Sequence, residues 1–230
     1  MNLEVRKKHF KGANFEFVCD LDHQPSWFCF EDEEVVRERW WDIKQGDVVI
    51  DAGAAFGSYA FPALALGAQK VIAWTPEGHK MLFDKTAEQN GWKDKVVTYD
   101  AGLWSRPGYV LARPHDDMPL FFEQMPEEWR TAIPPNAFTV DTIDAAVREN
   151  RLEKVDWIKV DVEGAEEEVL KGASDTIQRF RPRLLIENHL FKDAGLQRRC
   201  WIYIDSLRSG YIHAGTVPYH SISHSLYEPI

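Results

Sequence analysis

From Gly46 onward, short runs of β-branched and other apolar residues alternate with amphipathic stretches. That pattern predicts a parallel sheet covered by helices on both faces. The apolar runs are DVVIDA (47–52), KVIAWT (70–75), KVVTYD (95–100), VDWIKVD (155–161) and RLLIEN (183–188). They are apolar almost without interruption rather than at every second position, so each strand is expected to bury both faces. Between them the spacing predicts helices over 58–65, 79–89, 141–150 and 165–180. In the last of these Ala165, Val169, Ala173 and Ile177 recur at steps of four, one stripe for docking on the sheet. In 141–150, Asp141 and Asp144 stand as a capping pair, with Ile143, Ala146 and Val147 facing inward.

Two regions break the alternation. Residues 1–45 hold an extended piece, FEFVCDL, and a helical piece, DEEVVRERWWDI, in which Val36, Trp40 and Ile43 share a face. We read them as a cap on a domain spanning 46–230. Residues 106–138 are rich in proline and aromatics and too long for a plain connection, so a hairpin, lid or binding loop is expected there. The tail from Ser209 alternates polar and apolar positions, as an antiparallel pair closing the sheet would.

Composition narrows the class. With 230 residues, 44% of them hydrophobic, the chain is long enough to bury the core of one main domain. It has no apolar run of membrane-spanning length and no apolar segment behind its basic N-terminus, which predicts a cytoplasmic protein without a membrane partner. Cys19, Cys29 and Cys200 are too scattered for a disulfide framework and read as ordinary thiols. A formal charge of −10 would repel a phosphate backbone, so nucleic acid is a poor partner.

The densest chemical signal is VVIDAGAAFGSYA (48–60), a strand that ends in Asp51 and runs through Gly53 and Gly57 into a helix. Glycines at such a turn let the backbone bend sharply and approach a ligand. A dinucleotide fingerprint would place further glycines where Ala55 and Ser58 stand. The spacing D-x-G-x-x-x-G suits a ligand without phosphates, such as S-adenosylmethionine, whose cationic groups favour a nearby carboxylate like Asp51. The chain ends of the other strands carry acids as well, Asp161 and Glu187, and His189 follows as a candidate base. Lys159, two residues before Asp161 and on the same side of the pleat, is expected to pair with a neighbouring acid.

KVDVEGAEEEVLKGA (159–173), with FTVDTID before it and RPRLLIENH after it, resembles the FkbM family of S-adenosylmethionine-dependent methyltransferases. The resemblance implies a Rossmann-like class I methyltransferase fold: a mostly parallel seven-stranded sheet with an antiparallel C-terminal strand. It implies methyl transfer to a hydroxyl oxygen of a small molecule, a sugar or natural-product scaffold. Its cofactor residues would be Asp51, Gly53, Ala54, Phe56 and Gly57 in the turn, with Asp100 and Ala101 at the adenine. Where the family places an acid on the cofactor ribose, this chain has Thr75, which offers one hydroxyl; Glu77 is the other candidate. Asp161, Glu187 and His189 would serve catalysis, with Asp161 and Glu187 as ligands if a divalent ion such as Mg takes part. The tail histidines His213, His220 and His224 are read as surface residues. A cofactor-binding domain without turnover and a nicotinamide-dependent oxidoreductase are the alternatives.

Overall fold

The computed structural model describes residues 1–23, 30–31, 33–75, 78–115, 118–125, 133–219 and 222–230. All five apolar runs form strands: β3 (Val48–Ala52), β4 (Lys70–Trp74), β5 (Val96–Tyr99), β10 (Trp157–Val160) and β11 (Arg183–Asn188). The alternating tail forms β12 (Tyr211–Tyr219) and β13 (Ile222–Pro229), an antiparallel pair as expected. Together they make a seven-stranded sheet in the order β12-β13-β11-β10-β3-β4-β5. The sheet is mixed: β3, β4 and β5 pair in parallel, whereas β13 runs antiparallel to both β11 and β12. Among the described residues no helix is long and apolar enough to cross a membrane.

The chain divides into two compact units, residues 1–100 with 155–159 and residues 101–154 with 160–230. In the first, β1 (Leu3–Phe10) and β2 (Ala13–Asp20) form a hairpin in register from Leu3↔Asp20 to Phe10↔Ala13. Lys11 and Gly12 turn it, both at positive φ, the backbone a tight two-residue hairpin demands. The expected extended piece is therefore β2. It packs on α2 (Ala60–Ala65) and α3 (Lys80–Gln89), where the Val18 amide donates to Thr86 Oγ1 at 3.0 Å and the Asn90 side chain bonds the Glu16 backbone. Helix α1 (Glu34–Trp40) buries Val36 and Trp40, and Ile43 beyond its end is buried too.

In the second unit the proline-rich insertion contributes a hairpin, β7 (Gly108–His115) and β8 (Met118–Gln124). It belongs to a four-stranded sheet, β6-β9-β7-β8, with β6 (Gly102–Leu103) and β9 (Ala137–Asp141). The helices here are α4 (Ile143–Glu149), α5 (Glu166–Lys171), α6 (Ser174–Phe180) and α7 (Leu196–Ser206).

Two sequence expectations are corrected here, for one reason. The single helix over 165–180 is two helices, α5 and α6, broken at Gly172 and Ala173. A Cβ on Gly172 would lie 2.1 Å from the Trp104 carbonyl oxygen, so backbone meets backbone at this point. The Gly172 carbonyl accepts from the Asp144 amide at 3.0 Å, and the Thr176 amide, its helical partner by spacing, donates to Asp144 Oδ1 at 2.8 Å. Asp144 thus caps α6, accepting from the Asp175 amide as well, and does not pair with Asp141. Thr142 caps α4, accepting from the Ala145 amide at 3.1 Å. The apolar stripe survives the break, since Ala165, Val169, Ala173 and Ile177 are all buried.

Cys19 and Cys200 are buried free thiols, and burial pushes the Cys200 thiol up, out of the reactive range. Cys29 lies outside the described residues.

Candidate functional site

In the first unit, β3 ends at Ala52 and the chain enters the glycine turn. Three of the next five residues, Gly53, Ala55 and Gly57, take left-handed backbone. Only glycine does this without strain, so Ala55 is held there by its surroundings. Thr75, fully buried, donates its hydroxyl to the Ala55 carbonyl at 2.8 Å, and the Ala54 amide donates to Trp74 at 2.8 Å. The end of β4 thus clamps the turn. The hydroxyl that the sequence reading offers to a ribose donates here to the protein's own backbone. Gly57 also differs from expectation: a Cβ there would fall 2.3 Å from the Phe61 ring, so this glycine serves the packing of α2.

Asp51 is fully buried, with Lys159 Nζ 4.0 Å from its carboxylate. The same ammonium lies 3.4 Å from the Gly53 carbonyl and 4.8 Å from the centre of the Tyr59 ring. The pairing expected of Lys159 is present, and its partner is the first acid of the turn. Phe56 is buried, with the His79 ring 4.2 Å away and His23 at 5.5 Å. Burial, then the neighbouring His23, holds His79 below the usual imidazole range, and its buried Nδ1 has no hydrogen-bond partner among the described residues. That orphaned atom, on a ring packed against Phe56 of the turn, fits a small ligand seated there. Asp100 follows β5 and is exposed; Ala101 is half-buried. Glu77 lies outside the described residues.

In the second unit, strand alternation sends Glu187 of β11 and His189 just past its end to the same side. Asp161, directly after β10, and the turn that follows it meet them there. Glu163 and Gly164 take left-handed backbone in that turn, and Glu166 Oε1 draws it in by accepting from the Val162 and Gly164 amides. The same oxygen accepts from His189 Nδ1 at 2.7 Å. His189 Nε2 then faces Glu187 at 3.4 Å, Glu163 at 3.5 Å and Asp161 at 3.8 Å. Across the β11–β13 ladder Glu187 sits opposite His224, whose Nε2 lies 3.1 Å from Glu187 Oε2.

Burial opposes charge on His189, but Glu166 beside Nδ1, with Asp161 and Glu187 adding to it, outweighs this and raises its pKa to about 9. With no cation among these carboxylates, the charged form of the ring is favoured, Nδ1 on Glu166 and Nε2 toward Asp161 and Glu187. Asp161, Glu187 and His189 each offer a ligand atom, all within 4.8 Å of one another.

Sequence reasoning brought Asp161, Glu187 and His189 forward, and they do converge. It missed His224, read as a surface residue but 1% exposed, and it did not bring forward Glu166, which is 0% exposed. The signal for His224 was its place in the alternating tail, two positions from other inward residues. His213 is exposed, bonded to Thr216, and His220 lies outside the described residues.

The family model for the Methyltransferase FkbM domain matches residues 51–211. No curated protein matches the sequence. Among solved structures, methyltransferase FkbM from Methylobacillus flagellatus KT is similar at a TM-score of 0.61 and 17% identity, over 84% of this chain and 46% of that one. The chain thus spans under half the length of that relative. TYW2 from M. jannaschii, in complex with AdoMet, is similar at a TM-score of 0.51 and 13% identity, over 100% of this chain and 88% of that one. At such identities the likeness is one of fold. The family match, by contrast, covers well over half of the sequence and includes both the glycine turn and the His189 cluster, so the chain belongs to the FkbM methyltransferase domain family.

Proposed function

We propose that the protein is an S-adenosylmethionine-dependent methyltransferase acting on a hydroxyl oxygen of a small molecule, a sugar or natural-product scaffold, in the cytoplasm. The observation that carries this reading is the family match across a turn whose backbone at Gly53 and Ala55 is held left-handed. When bound, the cofactor supplies an electrophilic methyl group on a sulfonium. Asp51, Gly53, Ala54 and Phe56 would hold its amino acid and ribose end, and Asp100 and Ala101 its adenine. Thr75 contributes by fixing Ala55 rather than by touching the ribose, which leaves Glu77 for that contact. Gly57 supports the turn through packing.

Asp161, Glu187 and His189 are assigned to the acceptor. A hydroxyl that donates to Asp161, the half-buried member, passes its proton there as the oxygen is alkylated, a contribution of roughly 10² to 10⁴ in rate. Residues 1–45 act as a cap on the 46–230 domain, and the 106–138 insertion shapes acceptor choice. The net charge of −10 supports a small-molecule acceptor over RNA.

Calorimetry tests the cofactor. S-adenosylhomocysteine should bind the full chain and NADH should not; no heat with S-adenosylhomocysteine overturns the assignment. Methyl incorporation from labelled cofactor into hydroxylated small molecules, against RNA and protein, then tests the acceptor. Binding without any turnover would identify a cofactor-binding domain instead.

A further inference from the structure

The arrangement around His189 is built for more than an ion pair. Glu166, which is 0% exposed, takes the Nδ1 proton at 2.7 Å and so fixes which ring nitrogen faces the cluster. A carboxylate that orients an imidazole in this way is the usual outer support of a metal-bound histidine. Nε2, on a side chain 97% buried, points at Glu187 and Asp161 oxygens 3.4 and 3.8 Å away. These separations exceed N–H···O hydrogen bonds of about 2.7–3.2 Å. The Glu187 separation matches two atoms that share one ion, since ligands each about 2.1 Å from a tetrahedral centre lie about 3.4 Å apart, and Asp161 is a few tenths of an ångström farther out. Glu187 is itself oriented, because its other oxygen faces His224 Nε2 at 3.1 Å. Glu163, the remaining neighbour, is mostly exposed and held by Lys192 at 3.0 Å, which leaves it at the rim.

We infer that His189 Nε2, Asp161 and Glu187 form a binding site for a divalent first-row transition ion, with Glu166 and His224 as positioning residues. The imidazole decides the class. Mg and Ca prefer an all-oxygen shell, whereas nitrogen with two carboxylates suits Zn, Fe or Mn. The sequence left the identity of any ion open, with Mg as one example; the imidazole favours a softer one. Its charge also relieves the crowding of Glu166, Asp161 and Glu187 around one ring. Three protein ligands leave a position open for water or a substrate hydroxyl, whose proton the ion would loosen. The inference rests on the geometry of this cluster and does not require the methyltransferase reading.

The test uses metal-stripped full-length protein without a histidine tag, titrated with Co²⁺ as a spectroscopic probe and with Zn²⁺ by calorimetry. One ion per chain is expected, with visible Co²⁺ bands that millimolar Mg²⁺ does not remove. His189→Gln and Asp161→Asn should each abolish those bands. Glu166→Gln should keep the bands, shifted, with affinity about 10 to 100-fold weaker. Should His189→Gln fail to fold, the half-exposed Asp161→Asn decides. Absence of stoichiometric binding by wild type, or unchanged binding in Asp161→Asn, overturns the site. Because the readout is metal binding, it fails or stands apart from any test of methyl transfer.

Discussion

Thr75 and Gly57 show how a single residue can look like a ligand contact and be part of the frame. Thr75 Oγ1 holds the carbonyl of Ala55, which occupies a backbone region that side chains avoid. Replacing Thr75 with Val removes that bond while keeping the shape, and should cost about 1 to 3 kcal/mol in urea unfolding because a buried carbonyl loses its partner. Thr75→Glu should not supply the ribose-binding acid that the family resemblance leads one to expect at this position. It would bury a carboxylate in a fully enclosed position, so the expected result is a protein of lower melting temperature that binds S-adenosylhomocysteine more weakly than wild type. Tighter binding would show that position 75 does face the ribose. The spacing of Asp51, Gly53 and Gly57 is visible in the sequence because local turn geometry demands it. The Thr75–Ala55 bond joins positions twenty apart, and no local pattern records it. The partnership of His224 with Glu187 escapes for the same reason: the two meet only through strand register.

At the scale of elements, the periodicity of 165–180 is right about which face is buried and silent about the interruption. The stripe continues across α5 and α6 because both dock on the same side. Gly172 is the cause of the break, through its contact with the Trp104 carbonyl. Alanine is the better helix former, yet Gly172→Ala should destabilise by about 1 to 3 kcal/mol, since neither backbone segment can give way. A stabilised protein would mean that the two helices fuse. Asp144→Ala should cost about 1 to 2 kcal/mol by uncapping α6, while Asp141→Ala should cost clearly less. The reverse order in paired denaturation curves would restore the capping pair that the sequence suggests. Strands β3, β4, β10 and β11 are legible because burial on two faces leaves continuous apolar runs, whereas β5, an edge strand, is half-buried throughout and does not bury both faces as expected. The small β6-β9-β7-β8 sheet is not, because its strands come from a segment whose prolines resemble a loop.

At the scale of the molecule, strand order places β10 at the centre of the seven-stranded sheet, with β3 beside it, and the tail hairpin at one edge. Alternation of strands and helices makes the class of fold readable, and the alternating tail makes its antiparallel closure readable. The division into two units is not readable, since the chain passes between them at positions 100, 154 and 159 without any linker composition. The excess of acids makes a further prediction about partners. A fluorescent single-stranded RNA should show no anisotropy change with micromolar protein at 150 mM salt. Submicromolar binding would show that a local basic surface overrides the net charge of −10.

The pairing of Glu187 with His224 has a consequence for the order in which this protein is made. Glu187 and His189 leave the ribosome with the rest of β11, but the strand that backs them is encoded 37 positions later, as the register of β13 requires. At roughly 5 to 20 residues per second, this leaves a few seconds in which a partly made chain holds its cluster of acids and one histidine without the supporting edge. A nascent chain that has not yet reached β13 thus lacks the strand that sets His224 against Glu187.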